Sequence, residues 1–386
     1  MNAPLPPNAG LSVLLRSAAE HVTQQGFAWM ERGKVPDRVI RAGIRRLLGQ
    51  RLKREREGGF EQQAERRARW VEQLKQSPVA ILTELANEQH YEVPTELFQI
   101  ALGPRLKYSA CAFEHPERRD DFANDSLAEA EQRMLELYAE RAELSDGQHV
   151  LDLGCGWGSF SLWAAARYPN SRIVGVSNSR TQREHILSEA AARGLENLHI
   201  LTQDANRLNA ADFASAGIEP RFDRIVSVEM FEHLRNYRTL FERLASWLDD
   251  SGKLFVHIFV HKDLTYAFES ERADDWMGRH FFSGGLMPSE DLLLNFQESL
   301  TLERRWRVTG LQYAKTARAW LNQLDANTER ALRILGKHYG DTSAEPDLEA
   351  SRWLTRWRVF FMACEELWGY RGGSEWFVAH YRFRQR

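Results

Sequence analysis

Three residues able to move protons fall within one short block, Glu229-Met230-Phe231-Glu232-His233. Two carboxylates in a low-dielectric site shift each other's pKa, and an imidazole beside them shuttles protons near neutral pH. Such a set can neutralise a cationic group, accept a proton, or do both. A single glutamate at a strand end is otherwise a salt-bridge partner, and His233 can simply cap a turn. The elements that position the block therefore decide its meaning.

A second cluster of informative residues lies upstream. Residues 150–158 read Val-Leu-Asp-Leu-Gly-Cys-Gly-Trp-Gly, with glycines at alternate positions 154, 156 and 158. An apolar run thus ends in a glycine turn, and a helix-forming run, Ser159 to Arg167, follows at once. Glycines let a backbone approach a ligand with no Cβ in the way, and the next helix presents unpaired N–H groups at its start. A dinucleotide fingerprint would read G-x-G-x-x-G. This turn is G-x-G-x-G after Asp152, and is read as holding the methionine part of S-adenosylmethionine (SAM).

Further blocks follow in order. Arg172–Ser177, Leu198–Thr202, Phe222–Val228 and Lys253–Phe259 read as strands, and Arg180–Arg193 as a helix. Strands alternating with helices predict an α/β fold with a parallel sheet. Ligands of such sheets sit at the carboxyl ends of the strands, so the glycine turn, Gln203-Asp204 and the Glu229–His233 block all point toward one crevice.

Bulk properties exclude several classes. The chain has 386 residues, 43% hydrophobic and 27% charged, the composition of an ordinary globular protein. Cys111, Cys155 and Cys364 give neither metal spacing nor a disulfide framework, and the histidines are scattered, so no metal site is expected. No apolar run approaches the length of a membrane span, and MNAPLPPNAG lacks the pattern of a secretory signal. A cytoplasmic location is the expectation. Between Glu31 and Gln76, 14 Lys and Arg stand against 7 Asp and Glu. Either these helices touch a phosphate surface such as lipid headgroups, or they pack by one face and leave a solvated basic one. No motif suggests nucleic acid.

Three regions are expected: 1–125, a helical N-terminal region or lid; 126–262, the cofactor-binding core; and 263–386, an aromatic-rich cap plus the last strands of the sheet. Glu375–Phe383 reads as one of those strands. Trp353, Trp357, Phe360, Phe361 and Trp368 are spaced for helix faces, and most are expected in the core. Trp276, Trp368 and Trp376 are candidates to line a flat apolar pocket able to hold a cation by its π face.

These residues carry a family likeness. The chain resembles the SAM-dependent methyltransferases related to cyclopropane fatty acid synthases, and among them the coclaurine-type N-methyltransferases. The likeness runs through HYEVPTELFQIALGPRLKYSACAF (90–113), the glycine turn, VGVSNS (174–179), FDRIVSVEMFEH (222–233), LFVHIFVHK (254–262), WLNQLDAN (320–327) and GYRGGSEWFVAHYRF (369–383). It implies a Rossmann-like fold with a mostly parallel seven-stranded sheet, SAM as cofactor and S-adenosylhomocysteine (SAH) as product. It also implies that Tyr108 and Ser109 close over the cofactor and that Gly154 and Gly156 contact its methionyl end. Asn178 and Gln182 then lie near the ribose and adenine, and Asp204 with the Ala205 N–H reads the adenine edge. Strand two ends in Ser177-Asn178 rather than in the acid common among methyltransferases; the cyclopropane-synthase relatives lack that acid too.

The resemblance further implies Glu229, Glu232 and His233 as the catalytic set for a small, partly aromatic, tetrahydroisoquinoline-like amine. Cyclopropane synthases carry Gly at the position of Glu229 and use a bicarbonate base, caged by a Cys, a Glu, a His and a Tyr. Here Glu232 and His257 keep two cage positions, while the Cys position falls on Ala110 and the Tyr position on Leu321. The cage is thus expected to be dismantled, favouring an amine over a lipid alkene, with lipid methylation or cyclopropanation as the alternative. His257 lies in an apolar strand, so a core histidine and a substrate contact are both open; Phe259 is a further substrate candidate. Weak contact with a membrane surface and homodimerisation stay open.

Overall fold

The computed structural model describes residues 24–81, 93–270, 275–340 and 345–386. His90 and Tyr91, at the head of the first family-like segment, lie outside them. After a helical stretch at 24–31, helices α1 (Asp37–Glu55), α2 (Gly59–Gln76), α3 (Thr95–Ala101) and α4 (Leu127–Ala142) precede β1 (His149–Leu153). Then come α5 (Ser159–Arg167), β2 (Arg172–Ser177), α6 (Arg180–Ala192), β3 (Leu198–Thr202), α7 (Ala210–Ser215), β4 (Phe222–Val228), α8 (Tyr237–Trp247) and β5 (Leu248–His261). The remainder holds β6 (Tyr266–Ala267), α9 (Trp276–His280), β7 (Leu286–Met287), β8 (Leu300–Val308), α10 (Gly310–Ala326), α11 (Thr328–Tyr339), α12 (Pro346–Trp368) and β9 (Trp376–Gln385).

Seven strands form one sheet in the order β3-β2-β1-β4-β5-β9-β8. β1 to β5 run parallel, and β9 is antiparallel to both of its neighbours. The chain is therefore an α/β protein with a mostly parallel seven-stranded sheet, as expected. Strands two to four fall where their apolar runs predict. β8 carries Arg304, Arg305 and Arg307 and does not read as a strand from its apolar content; pairing to β9 makes it one.

Side chains alternate across the sheet, as a period of two requires. Leu254, Val256 and Ile258 pack with α7 and α8 in one core. Phe255 and Phe259 face the other core, with Tyr138 of α4 and the aromatic residues of α10 and α12. His257 shares this second face. α4 is anchored by a capping box in which Ser126 and Glu129 satisfy each other's backbone N–H groups.

The basic N-terminal helices have a third explanation. Arg41 of α1 bonds Glu365 and Glu366, and Arg45 bonds Glu366. Arg56 pairs with Glu375, and Arg67 with Asp291. These four of the segment's 14 basic residues are used against acids of the C-terminal half.

Candidate active site

The parallel order reverses between β1 and β4, where an open α/β sheet leaves its ligand crevice. Gly154, Gly156 and Gly158 follow β1 with φ of +84°, +52° and +79°. The Gly154 and Cys155 N–H groups donate to the Val176 carbonyl, tying the turn to β2. A Cβ on Gly156 would meet no atom within 4 Å, so its backbone faces open space. Asp152 is buried beneath the turn with the Ser161 hydroxyl donating to it at 2.6 Å, and burial pushes its carboxyl up to about 7.

Two adjoining cavities share this turn. Both are lined by Gly154, Gly156, Gln182, Glu229 and His233. The smaller adds Asn178, Gln203 and Ala205 at the ends of β2 and β3. Gln182 accepts from the Ser177 hydroxyl at 2.7 Å, while its buried Nε2 has no partner. An orphaned donor beside an open glycine backbone fits a polar cofactor. Asp204 is not in the lining; its Oδ1 accepts the Asn206 N–H at 2.6 Å, so Gln203 and Ala205 flank the space instead.

The larger cavity begins at Tyr108 and Ser109 and runs under an aromatic wall. Phe259, Phe282, Tyr313, Trp320, Phe360 and Trp368 contribute to it. Trp368 stacks on Tyr313 with centroids 4.7 Å apart and planes within 2°. Two of the candidate tryptophans are not there. Trp276 donates its indole N–H to Glu31 at 3.1 Å, and Trp376 donates to the Tyr266 hydroxyl at 2.9 Å. Both indoles are buried with their polar atoms already engaged, so they hold the cap rather than line the pocket.

Glu229 and Glu232 stand in contrasting environments. Glu229 has φ +47°, a left-handed conformation that a non-glycine residue adopts at a cost of about 1–2 kcal/mol. Its carboxylate turns back under the cavity. Oε1 accepts from the Ala110 N–H and from His257 Nε2, each at 3.0 Å, and Oε2 accepts from the Tyr313 hydroxyl at 2.5 Å. Burial nevertheless raises its pKa above the ordinary carboxylate value, while the Tyr313 hydroxyl, the Ala110 N–H and the charge of Lys107 oppose the rise. Glu232, on the 3-10 turn Phe231–His233, is 1% exposed, and neither carboxyl oxygen has a hydrogen-bond partner. Burial, and secondarily the charge of Glu229, push it well above the usual range. His233 lines both cavities and packs on Phe282.

Several of these partners escaped sequence reasoning. The tyrosine expected to be lost at Leu321 has a counterpart on the same helix: Leu321 is buried, and Tyr313 supplies the hydroxyl. Ala110, read as a missing cysteine, contributes its N–H. His257 lies wholly beneath Glu229, outside the cavity lining, and so acts on a side chain rather than on a ligand. Lys107, buried, donates to the Ser109 hydroxyl and the Ala110 carbonyl and so braces the segment that reaches Glu229. Helical spacing from Trp320 and the hydroxyl on an otherwise apolar face were the available signal for Tyr313.

Among the described residues, one group of potential metal ligands gathers, His261, Asp263 and Glu375. Arg56, Lys262 and Arg371 all bond Glu375 there, so the acid is already charge-compensated.

Comparison with known proteins agrees with this geometry. Residues 82–343 match the family described as Mycolic acid cyclopropane synthetase. The chain belongs to this family. It is 36% identical over 361 residues to (S)-coclaurine N-methyltransferase of Thalictrum flavum subsp. glaucum, covering 92% of this chain and 94% of that one. The crystal structure of coclaurine N-methyltransferase bound to N-methylheliamine and SAH superposes with TM-score 0.85 at 32% identity, over 93% of this chain and 99% of that one. The cyclopropane-fatty-acyl-phospholipid synthase of Escherichia coli (strain K12) is similar over a shorter span, 31% identical over 61% of this chain and 55% of that one. This protein is a SAM-dependent methyltransferase. No described helix is long and apolar enough to cross a membrane.

Proposed function

We propose that this methyltransferase transfers a methyl group to the nitrogen of a small, partly aromatic, tetrahydroisoquinoline-like amine. The observation that carries the reading is Glu232: a buried carboxyl with no protein partner, facing an aromatic-walled cavity beside a second carboxylate that is fully held. A cationic or N–H-bearing nitrogen supplies what Glu232 lacks. A carboxylate about 4 Å from such a cation contributes on the order of 1–4 kcal/mol, depending on screening.

SAM, when bound, supplies a methyl group on a sulfonium, and the electron pair of the broken S–C bond returns to sulfur. In this reading Gly154 and Gly156 hold its methionyl end, Asn178, Gln182 and Ala205 its nucleoside, and Tyr108 and Ser109 close over it. Asp204 acts through the shape of the turn. The aromatic wall, Phe259 and Trp368 included, orients the amine so that its lone pair lies in line with the methyl group. Glu229 and Glu232 hold the amine, and His233 accepts the proton that leaves nitrogen as the N–C bond forms. The described residues of 1–125 and of 263–386, apart from the sheet strands β8 and β9, act as the cover over the 126–262 core. The arginines engaged by C-terminal acids support a packing role for that cover over a lipid-facing one.

The test is incubation of the purified protein with SAM and either tetrahydroisoquinoline-type amines or unsaturated phospholipid, with and without bicarbonate. A one-methylene mass gain on an amine, abolished by Glu232→Ala or His233→Ala with SAM binding intact, supports the reading. Bicarbonate-dependent methylation or cyclopropanation of lipid, with every amine unchanged, overturns it.

A further inference from the structure

Behind Glu229 a chain of buried nitrogen atoms leads away from the cavity. His257 Nε2 lies 3.0 Å from Glu229 Oε1. The other ring nitrogen of His257, Nδ1, lies 2.8 Å from His380 Nε2. His380 Nδ1 in turn lies 2.7 Å from Arg141 Nη1. His257 and His380 face each other directly across the β5–β9 ladder, and both are fully buried.

Only one member of this chain has an invariant hydrogen-bonding role. A guanidinium donates and never accepts. His380 Nδ1 must therefore accept from Arg141. A neutral imidazole has one donor and one acceptor nitrogen, so His380 Nε2–H donates to His257 Nδ1. His257 is then left with its proton on Nε2, and that N–H donates to Glu229. We infer that Arg141 and His380 are positioning residues that lock His257 in the tautomer donating to Glu229, and so hold Glu229 as a carboxylate; this rests on the role proposed for Glu229 above.

The surroundings agree with neutral rings. Burial first, then the charges of Lys107 and Arg141, push His257 below its ordinary pKa. Burial, His257, Arg141 and Lys107 do the same to His380. The Tyr138 hydroxyl of α4 also stands 3.0 Å from His257 Nδ1, on the accepting side. Around Glu229 itself stand Tyr313 of α10, Cys364 of α12, Lys107 and Cys111 of the segment before α4, and Glu232 of its own turn. None of these fixes the His257 tautomer as Arg141 does.

Without the lock, His380 is free to carry its proton on Nδ1. His257 then donates from Nδ1 and turns a lone pair toward Glu229, so two acceptors face each other unless Glu229 takes up a proton. Loss of the lock thus raises the proton affinity of Glu229 and moves the acid limb of kcat to higher pH.

The experiment uses the full chain in two ways. Imidazole-nitrogen NMR of histidine-labelled protein, with His257 identified by loss of its signals in His257→Gln, reads the tautomer without turnover. The expected result is a neutral Nε2–H His257 in the wild type, retained in His380→Gln, whose amide N–H can replace the donor, and lost in Arg141→Met and His380→Leu. In parallel, kcat for an amine substrate is measured against pH. His380→Leu should lose on the order of tenfold near neutral pH, with the acid limb displaced upward and SAM affinity unchanged, and His380→Gln should restore the profile. A wild-type His257 protonated on Nδ1, an unmoved profile in His380→Leu, or equal impairment of the Gln and Leu variants would overturn the proposal. Should the wild type methylate no amine, the proposed function fails, and the NMR result still judges the lock.

Discussion

The hydroxyl of Tyr313 donates to Oε2 of Glu229 at 2.5 Å, while the ring of Tyr313 lies flat against Trp368. One side chain thus joins the carboxylate to the aromatic wall. Removing the hydroxyl alone separates these two jobs. Tyr313→Phe keeps the stack and loses one charge-assisted bond, worth about 1.5–3 kcal/mol. It should lower kcat by on the order of tenfold and lower the melting temperature by a few degrees. Steady-state methylation read by mass, beside thermal melts, checks both parts; unchanged kcat would remove Tyr313 from the machinery.

Glu232 makes the protein sensitive to pH. Its carboxyl has a folded-state pKa raised by burial and by Glu229, above the unfolded value of about 4.3. The native state therefore binds that proton more tightly. The resulting stability is fully present below the unfolded pKa and is lost as pH rises toward the folded one. Glu232→Gln has no proton to release. Its melting temperature should exceed that of the wild type by a margin that widens from about pH 5 to pH 8, while turnover falls throughout. Asp152, pushed up to about 7 by burial, adds a decline of the same sign to both proteins and cancels from the difference. A constant margin across that range would contradict the argument.

Gly154 and Gly156 differ in what surrounds them. A Cβ on Gly154 would come within 2.7 Å of Met230 Sδ at φ +84°. Gly154→Ala should therefore cost about 1–3 kcal/mol of stability and SAM binding as well. A Cβ on Gly156 meets no protein atom within 4 Å. Gly156→Ala should cost only about 1 kcal/mol yet weaken SAM binding on the order of tenfold or more. Calorimetric titration with SAM and denaturant melts distinguish the two; equal SAM affinity in wild type and Gly156→Ala would place the methionyl end elsewhere.

Arg56 ties the end of α1 to the residue just before β9. It pairs with Glu375, which is 1% exposed. Burial raises the carboxyl, but Arg56 and Lys262 outweigh it and hold Glu375 at about 2. Arg56→Met should cost about 1–2 kcal/mol at neutral pH, less than breaking an isolated buried pair, because Lys262 and Arg371 still bond Glu375. Because a depressed pKa gives stability that is lost as pH falls toward it, the deficit should shrink between about pH 5 and pH 2. Urea unfolding at two pH values measures this.

What the sequence alone determined was local. A glycine run after an apolar strand leaves few conformations open to the backbone, so Gly154 and Gly156 were legible at once. The apolar runs of β2 to β4 set their own boundaries, and the order of strand and helix set the α/β class. Glu229, Glu232 and His233 were visible because they are neighbours in the chain. Tertiary structure alone decided how they differ. Glu229 is held because the segment before α4, a helix after β8 and a residue of β5 converge on it, and Glu232 is left bare because no donor reaches its carboxyl oxygens. The same reason moved Trp276 and Trp376 out of the pocket and set Tyr313 into it: an aromatic residue's type fixes that it is buried, while its partner depends on how distant helices pack. The pairing of His257 with His380 is the clearest case. Each reads as one histidine in an apolar strand, and only the register of two strands far apart in the chain brings their rings together.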